Sequence, residues 1–197
     1  MTEKLLITGC HRAGTTLLSS MIGLHKVVAI VNEDYFDSFK HILSKKYVGV
    51  KAVIPSIHLS KKRNLLYTMI FRKTLFIRNL FKLPHAMTFL PYCINDFDKV
   101  IIIHRDNESN IQSIMKRTGV KRKYAKRDVD IATAVKFVVE DRPNVMTISL
   151  QELTIGTPFT LRRICVFLGL EYDEIMIEGY KHTPCYSNDS VVIKSWY

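Results

Sequence analysis

Lys4-Leu-Leu-Ile-Thr-Gly-Cys-His-Arg-Ala-Gly-Thr-Thr-Leu-Leu18 decides how this chain folds. Lys4–Thr8 is a short apolar run that reads as a buried strand, and Gly9 ends it. Gly9 to Gly14 is a tight loop. From Thr15 to Leu24 the apolar residues Leu17, Leu18, Met21 and Ile22 fall at helical spacing. A strand, a GxxxxG loop and a helix form a phosphate cradle. The glycines let the backbone curl so that successive N–H groups point inward, and the helix start adds partial positive charge. The alternative is a Gly-containing strand–helix turn that binds nothing.

The same alternation continues along the chain. Val27–Val31, Tyr47–Val53, Lys99–His104 and Val145–Ser149 read as strands. Asn107–Arg117, Ile131–Glu140 and Phe159–Leu168 read as helices, the last stopped by Gly169. Strands alternating with helices predict an α/β fold: a single P-loop-type domain over residues 1–197, with a mostly parallel sheet flanked by helices. Ligands in such sheets bind where strand C-termini meet helix N-termini. Two such junctions carry chemistry here, Gly9–Thr16 and His104–Ser113.

The loop has Walker A spacing, yet Thr15 follows Gly14 where a nucleoside triphosphatase needs Lys. Arg12 supplies charge from inside the loop instead. At the second junction, Arg105 follows the KVIIIH strand, and Ser113 and Arg117 lie four apart on one helix face. Two guanidinium groups and a hydroxyl converging at a strand end suit a dianionic phosphate. The alternative there is a solvated surface cluster.

Composition narrows the function classes. The chain has 197 residues, 47% hydrophobic and 24% charged, as expected of an ordered globular protein. The four cysteines are scattered, without a CxxC pair, so neither a zinc site nor a disulfide framework is expected. No signal peptide or transmembrane segment is read, and the expected location is cytoplasmic. The net charge of +11 is concentrated: from Phe39 to Asn95 there are 11 Lys and Arg and no Asp or Glu. Such a segment attracts anions.

The motifs together resemble the PAPS-dependent sulfotransferases, closest to the Golgi-type and tyrosylprotein-type enzymes. ITGCHRAGTTLL resembles their 5′-phosphosulfate loop, which reads GxxRSGTTLL in Golgi-type members. KVIIIHRDNESNIQSIMKR resembles their 3′-phosphate segment, a strand, RDP, and a Ser eight residues after the Arg. Arg117 matches a further Arg of the tyrosylprotein type. VMTISLQELTIGTPFTLRRICVFLGL looks like the strand–YEDL–helix–FLGL region, and VVIKSWY is similar to a VIKP stretch near the C-terminus. The sequence departs from the pattern at Ala13 for Ser, Asn107 for Pro, and Leu150-Gln151 for Tyr-Glu. The chain is also short for the family, so acceptor-binding insertions are expected to be reduced.

The resemblance implies transfer of a sulfuryl group from 3′-phosphoadenosine-5′-phosphosulfate (PAPS, leaving as PAP) to an acceptor hydroxyl, with no metal. His11, Arg12, Ala13, Gly14, Thr15, Thr16, Arg105, Ser113, Arg117 and Lys194 would bind the nucleotide, His11 through its backbone. Glu33 would be the catalytic base, with Asp34 and His58 in reserve; Asn32-Glu33-Asp34 could instead simply favour a first helical turn. Lys51 would reach the bridging oxygen, or else be a strand-end Lys snorkelling to water. The basic segment at about 39–95 would form an acceptor wall, for an acceptor that is anionic or borne on an anionic polymer. A glycan is the first expectation; a tyrosyl or small-molecule acceptor is the second. The competing readings are a P-loop small-molecule kinase and a non-enzymatic polyanion-binding module. The kinase lacks its Lys. No membrane-facing stripe supports the second, and no aromatic RNA-binding motif points to nucleic acid as a partner.

Overall fold

A computed structural model describes residues 2–32, 45–54 and 94–182. The strands are β1 (Glu3–Gly9), β2 (Val28–Asn32), β3 (Tyr47–Lys51), β4 (Lys99–His104) and β5 (Val145–Ser149). The helices are α1 (Thr15–Gly23), α2 (Asn107–Thr118), α3 (Arg122–Val139), α4 (Leu150–Ile155) and α5 (Thr157–Leu168). Two 3₁₀ segments, Ile94–Asp96 and Glu174–His182, complete the described parts.

The strands form one sheet in the order β2-β3-β1-β4-β5. Every pair among them is parallel. β1 lies at the centre, with Ile7 opposite Lys51 on one side and Ile101 on the other. Their residues are apolar on both faces because both faces are covered. Leu6, Val50, Val100 and Ile102 pack with Ile111 and Ile114 of α2 and Val129, Val135 and Val139 of α3. Leu5, Ile7, Ile101 and Ile103 point the other way, onto Leu18 and Ile22 of α1 and Leu161, Ile164 and Leu168 of α5. This period-two alternation gives the domain two cores, one on each side of the sheet. Ile103 is fully buried, and Ile103→Ala would cost about 2–5 kcal/mol.

The expected fold class is therefore observed. Boundaries differ in places for physical reasons. The strand expected over Tyr47–Val53 ends at Lys51, after which Ile54 returns to the sheet in a single parallel bridge to Cys10. The helix expected over Ile131–Glu140 is the C-terminal half of α3. Its first turns are mostly charged, and only Ala125 and Val129 are buried along them, too sparse a stripe to show in periodicity. α4 was not anticipated. It starts with a capping box in which the Ser149 hydroxyl accepts from Glu152 N–H at 3.0 Å and the Glu152 carboxylate accepts from Ser149 N–H at 2.6 Å.

Candidate anion-binding site at the sheet edge

The loop from Gly9 to Gly14 follows the end of the central strand. A Cβ on Gly9 would stand 2.1 Å from the Ile103 carbonyl oxygen, so the loop leaves the sheet in contact with β4. Gly14, the N-cap of α1, has φ 101°, and a Cβ there would meet Leu150 Cδ1 at 2.6 Å. Leu150, standing where the resembled family has Tyr, thus packs against the turn into α1. Arg12 is also left-handed, at φ 65°, a conformation that costs a residue other than glycine about 1–2 kcal/mol. Non-glycine strain of this kind concentrates at ligand-binding turns.

α1 has no side-chain cap. Leu18 N–H is the one that bonds back to Gly14 O, at 3.0 Å, so the N–H groups before it face out of the helix start. This presents donors and the positive end of the helix dipole at Thr15 and Thr16. Ala13 N–H is committed to a turn, donating to Cys10 O at 3.1 Å, and the Ala13 methyl is buried. Thr15 is buried as well, in the position a triphosphatase gives to Lys.

Lys51 is only 4% exposed and ends β3 beside the loop. Its Nζ lies 3.4 Å from Thr16 Oγ1. A buried ammonium at the helix start is unlike a Lys reaching out to water, and it places a cation where the loop would hold an anion. Asn32 is its register partner on β2. Glu33 follows Asn32 in the chain and lies outside the described residues, as do Asp34, His58, Lys194 and most of the basic segment.

The second junction is built by β4 and α2. Asp106 caps α2, accepting from Ser109 N–H at 2.8 Å, and this bond holds its carboxyl below the usual range. Asn107 is the first helical residue, a position whose N–H needs no partner within the helix, so it is a position that also admits Pro. Gly119 ends α2 at φ 70°. The helix turns Ser109, Ser113, Lys116 and Arg117 toward Arg105 and Arg12, and these residues line a cavity of about 830 Å³ with Glu108 and Gln112. The two sequence motifs thus share one cavity. Glu108, its carboxylate, is neutralised by a bidentate pair with Arg122 at 2.7 and 2.6 Å. That pair, with a bond from Gln112, draws the Glu108 carboxyl down to about 2.

Two groups near the loop are chemically quiet. Burial pushes the Cys10 thiol up to about 12, so it is not a thiolate at neutral pH. Burial, reinforced by the charge of Lys136, holds the His104 imidazole below its usual pKa. Among the described residues, no group of three or more His, Cys, Asp or Glu is placed to hold a metal ion, and no helix is long and apolar enough to cross a membrane.

Asn110 is the residue that sequence reasoning missed. It is 2% exposed, on the inner face of α2. With its amide nitrogen turned to the loop, it donates to His11 O at 2.9 Å and Arg12 O at 3.3 Å. A polar residue at a core position of an otherwise amphipathic helix is the signal that would have found it.

No protein-family model matches the sequence, and no curated protein matches it. Solved structures match in shape. The sulfotransferase domain from the curacin biosynthetic pathway aligns with a TM-score of 0.59 at 13% identity, over 99% of this chain and 83% of that one. A sulfotransferase from Alicyclobacillus acidocaldarius aligns at 0.56 and 14% identity, over 96% of this chain and 87% of that one. Mouse sulfotransferase SULT7A1, solved in complex with PAP, aligns at 0.58 and 13% identity, over 93% of this chain. That alignment spans 64% of the mouse enzyme, so this chain accounts for less than two thirds of its length. The parallel sheet, its flanking helices and these alignments together give the chain the fold of the sulfotransferases.

Proposed function

We propose that the protein is a PAPS-dependent sulfotransferase. The observation that carries this reading is the shared cavity: Arg12 from the loop meets Arg105, Ser113 and Arg117 from the β4–α2 junction. A phosphate cradle at one strand end and a second cationic phosphate site beside it suit a nucleotide with phosphates at both the 5′ and 3′ positions. An ordinary triphosphate has no use for the second site. PAP in the mouse structure of the same fold agrees with this.

The residues fit the nucleotide. Gly14, where a Cβ would collide with Leu150, lets the loop turn into α1 at a left-handed φ, and Thr15 and Thr16 offer the helix-start donors. Arg105, Ser113 and Arg117 would hold the 3′-phosphate. PAPS, when bound, supplies the sulfuryl group. Lys51 and the helix start would stabilise charge on the departing 5′-phosphate oxygen, an electrostatic contribution that needs no reorganisation. Glu33 would take the proton of the acceptor hydroxyl. Positioning and fixed charge supply most of such catalysis, as in phosphoryl transfer. Closeness to the Golgi and tyrosylprotein branches rests on the sequence motifs. The anionic acceptor rests on the charge of the segment 39–95.

A thermal-shift comparison tests the reading. PAP should raise the melting temperature in proportion to the logarithm of its concentration, and ATP with Mg²⁺ should raise it far less. Preference for ATP with Mg²⁺ would instead support a kinase.

A further inference from the structure

The same helix that carries the Ser113 and Arg117 side chains also touches the phosphate loop, and it does so through Asn110. Its amide reaches the carbonyls of His11 and Arg12, which flank the left-handed peptide of the loop. The C=O and N–H of a trans peptide point in opposite directions. Turning the His11 carbonyl to Asn110 therefore aims the Arg12 N–H away from it. Behind the loop, Cys10 and Ala13 pack into the core. A cavity of about 190 Å³ lies there, bordered by Cys10, His104, Asn110, Ala132 and Lys136. Apolar contacts seat Cys10 and Ala13, and the Asn110 amide takes the two carbonyls between them, so it is well placed to fix the curvature of Cys10–Ala13.

We propose that Asn110 is a positioning residue: it holds the 5′-phosphate loop in its binding shape from the helix of the 3′-phosphate site. This rests on the nucleotide reading above. Asn110 does not line the larger cavity; it reaches that cavity's loop through the His11 and Arg12 carbonyls.

The two ends of the ligand separate this role from a general structural one. Full-length wild type, Asn110→Leu and Asn110→Ala are titrated calorimetrically with PAP, adenosine 5′-monophosphate and adenosine 3′-monophosphate. Leu fills the space of Asn without its N–H donors. Both variants should bind PAP and the 5′-monophosphate about tenfold more weakly, the worth of a lost hydrogen bond, and bind the 3′-monophosphate within twofold of wild type. Equal weakening toward all three would show that Asn110 only supports α2, and so overturn the proposal. Recovery in Asn110→Leu would assign the residue to space filling, with the same result. Variants indistinguishable from wild type overturn this proposal and leave the nucleotide reading standing. Wild type that binds no PAP overturns the nucleotide reading itself, and this proposal with it. If Asn110→Ala does not fold, the near-isosteric Asn110→Leu carries the test.

Discussion

Arg12 and Arg105 line one cavity from the C-terminal ends of adjacent parallel strands. Arg12 arrives on the loop after β1, and Arg105 on the residue after β4. The parallel register of Gly9 with Ile103 brings these ends side by side. Two cations facing one cavity attract an anion into it.

Removing one of them should be felt at one end of the nucleotide. Arg105→Ala should weaken PAP binding by about 1.5–3 kcal/mol, the worth of a charge-assisted contact. It should leave adenosine 5′-monophosphate nearly unaffected. Calorimetric titration of both ligands checks this, and equal affinity of wild type and variant for PAP would remove Arg105 from the 3′-phosphate site.

Lys51 should matter to the reaction more than to binding. Its ammonium stands at Thr16 Oγ1, where the 5′-phosphate oxygen would gain charge as the sulfuryl group departs. Lys51→Met should lower kcat by about 10²–10³-fold, as loss of one stabilising donor does elsewhere. The PAP dissociation constant should change only a few-fold. A large loss of PAP affinity at unchanged kcat would make Lys51 a binding residue.

Glu33→Gln should retain PAP affinity and lose about 10²–10⁴-fold in turnover, the usual worth of a general base. Single-turnover assays at saturating acceptor measure it. Turnover within a few-fold of wild type would move the base to Asp34 or His58.

The basic segment separates two uses of its charge. Replacing Lys61, Lys62 and Arg63 together with Ser should raise the acceptor KM and leave PAPS binding alone if the segment faces an anionic acceptor. A fall in PAPS affinity at constant acceptor KM would show that the charges steer the nucleotide instead.

The sheet and the placing of the two motifs at its edge were legible in the sequence. Buried parallel strands are short apolar runs, and the length of KVIIIH and KLLIT, with the Ile run of one and the Gly that ends the other, reads as strand. The two glycines of the loop and the Arg105, Ser113, Arg117 spacing are local signals, and the parallel register joins them in space. What stayed hidden depends on tertiary contact. α4 shows only as the Ser149–Glu152 capping box, because six residues carry too little periodicity. The first turns of α3 present charges to solvent and bury few apolar groups. Asn110 stands out only as a polar residue on the apolar face of α2, and the loop carbonyls beside it supply the reason. Glu108 looks like an acidic intruder in a cationic site until Arg122, from the next helix, is found holding it.

A crystal structure with PAP tests the central claim most directly. The account predicts the 5′-phosphate against the N–H groups at Gly14–Thr16, near Lys51, and the 3′-phosphate between Arg105, Ser113 and Arg117. PAP bound elsewhere, or with its 3′-phosphate directed away from Arg105, would contradict it.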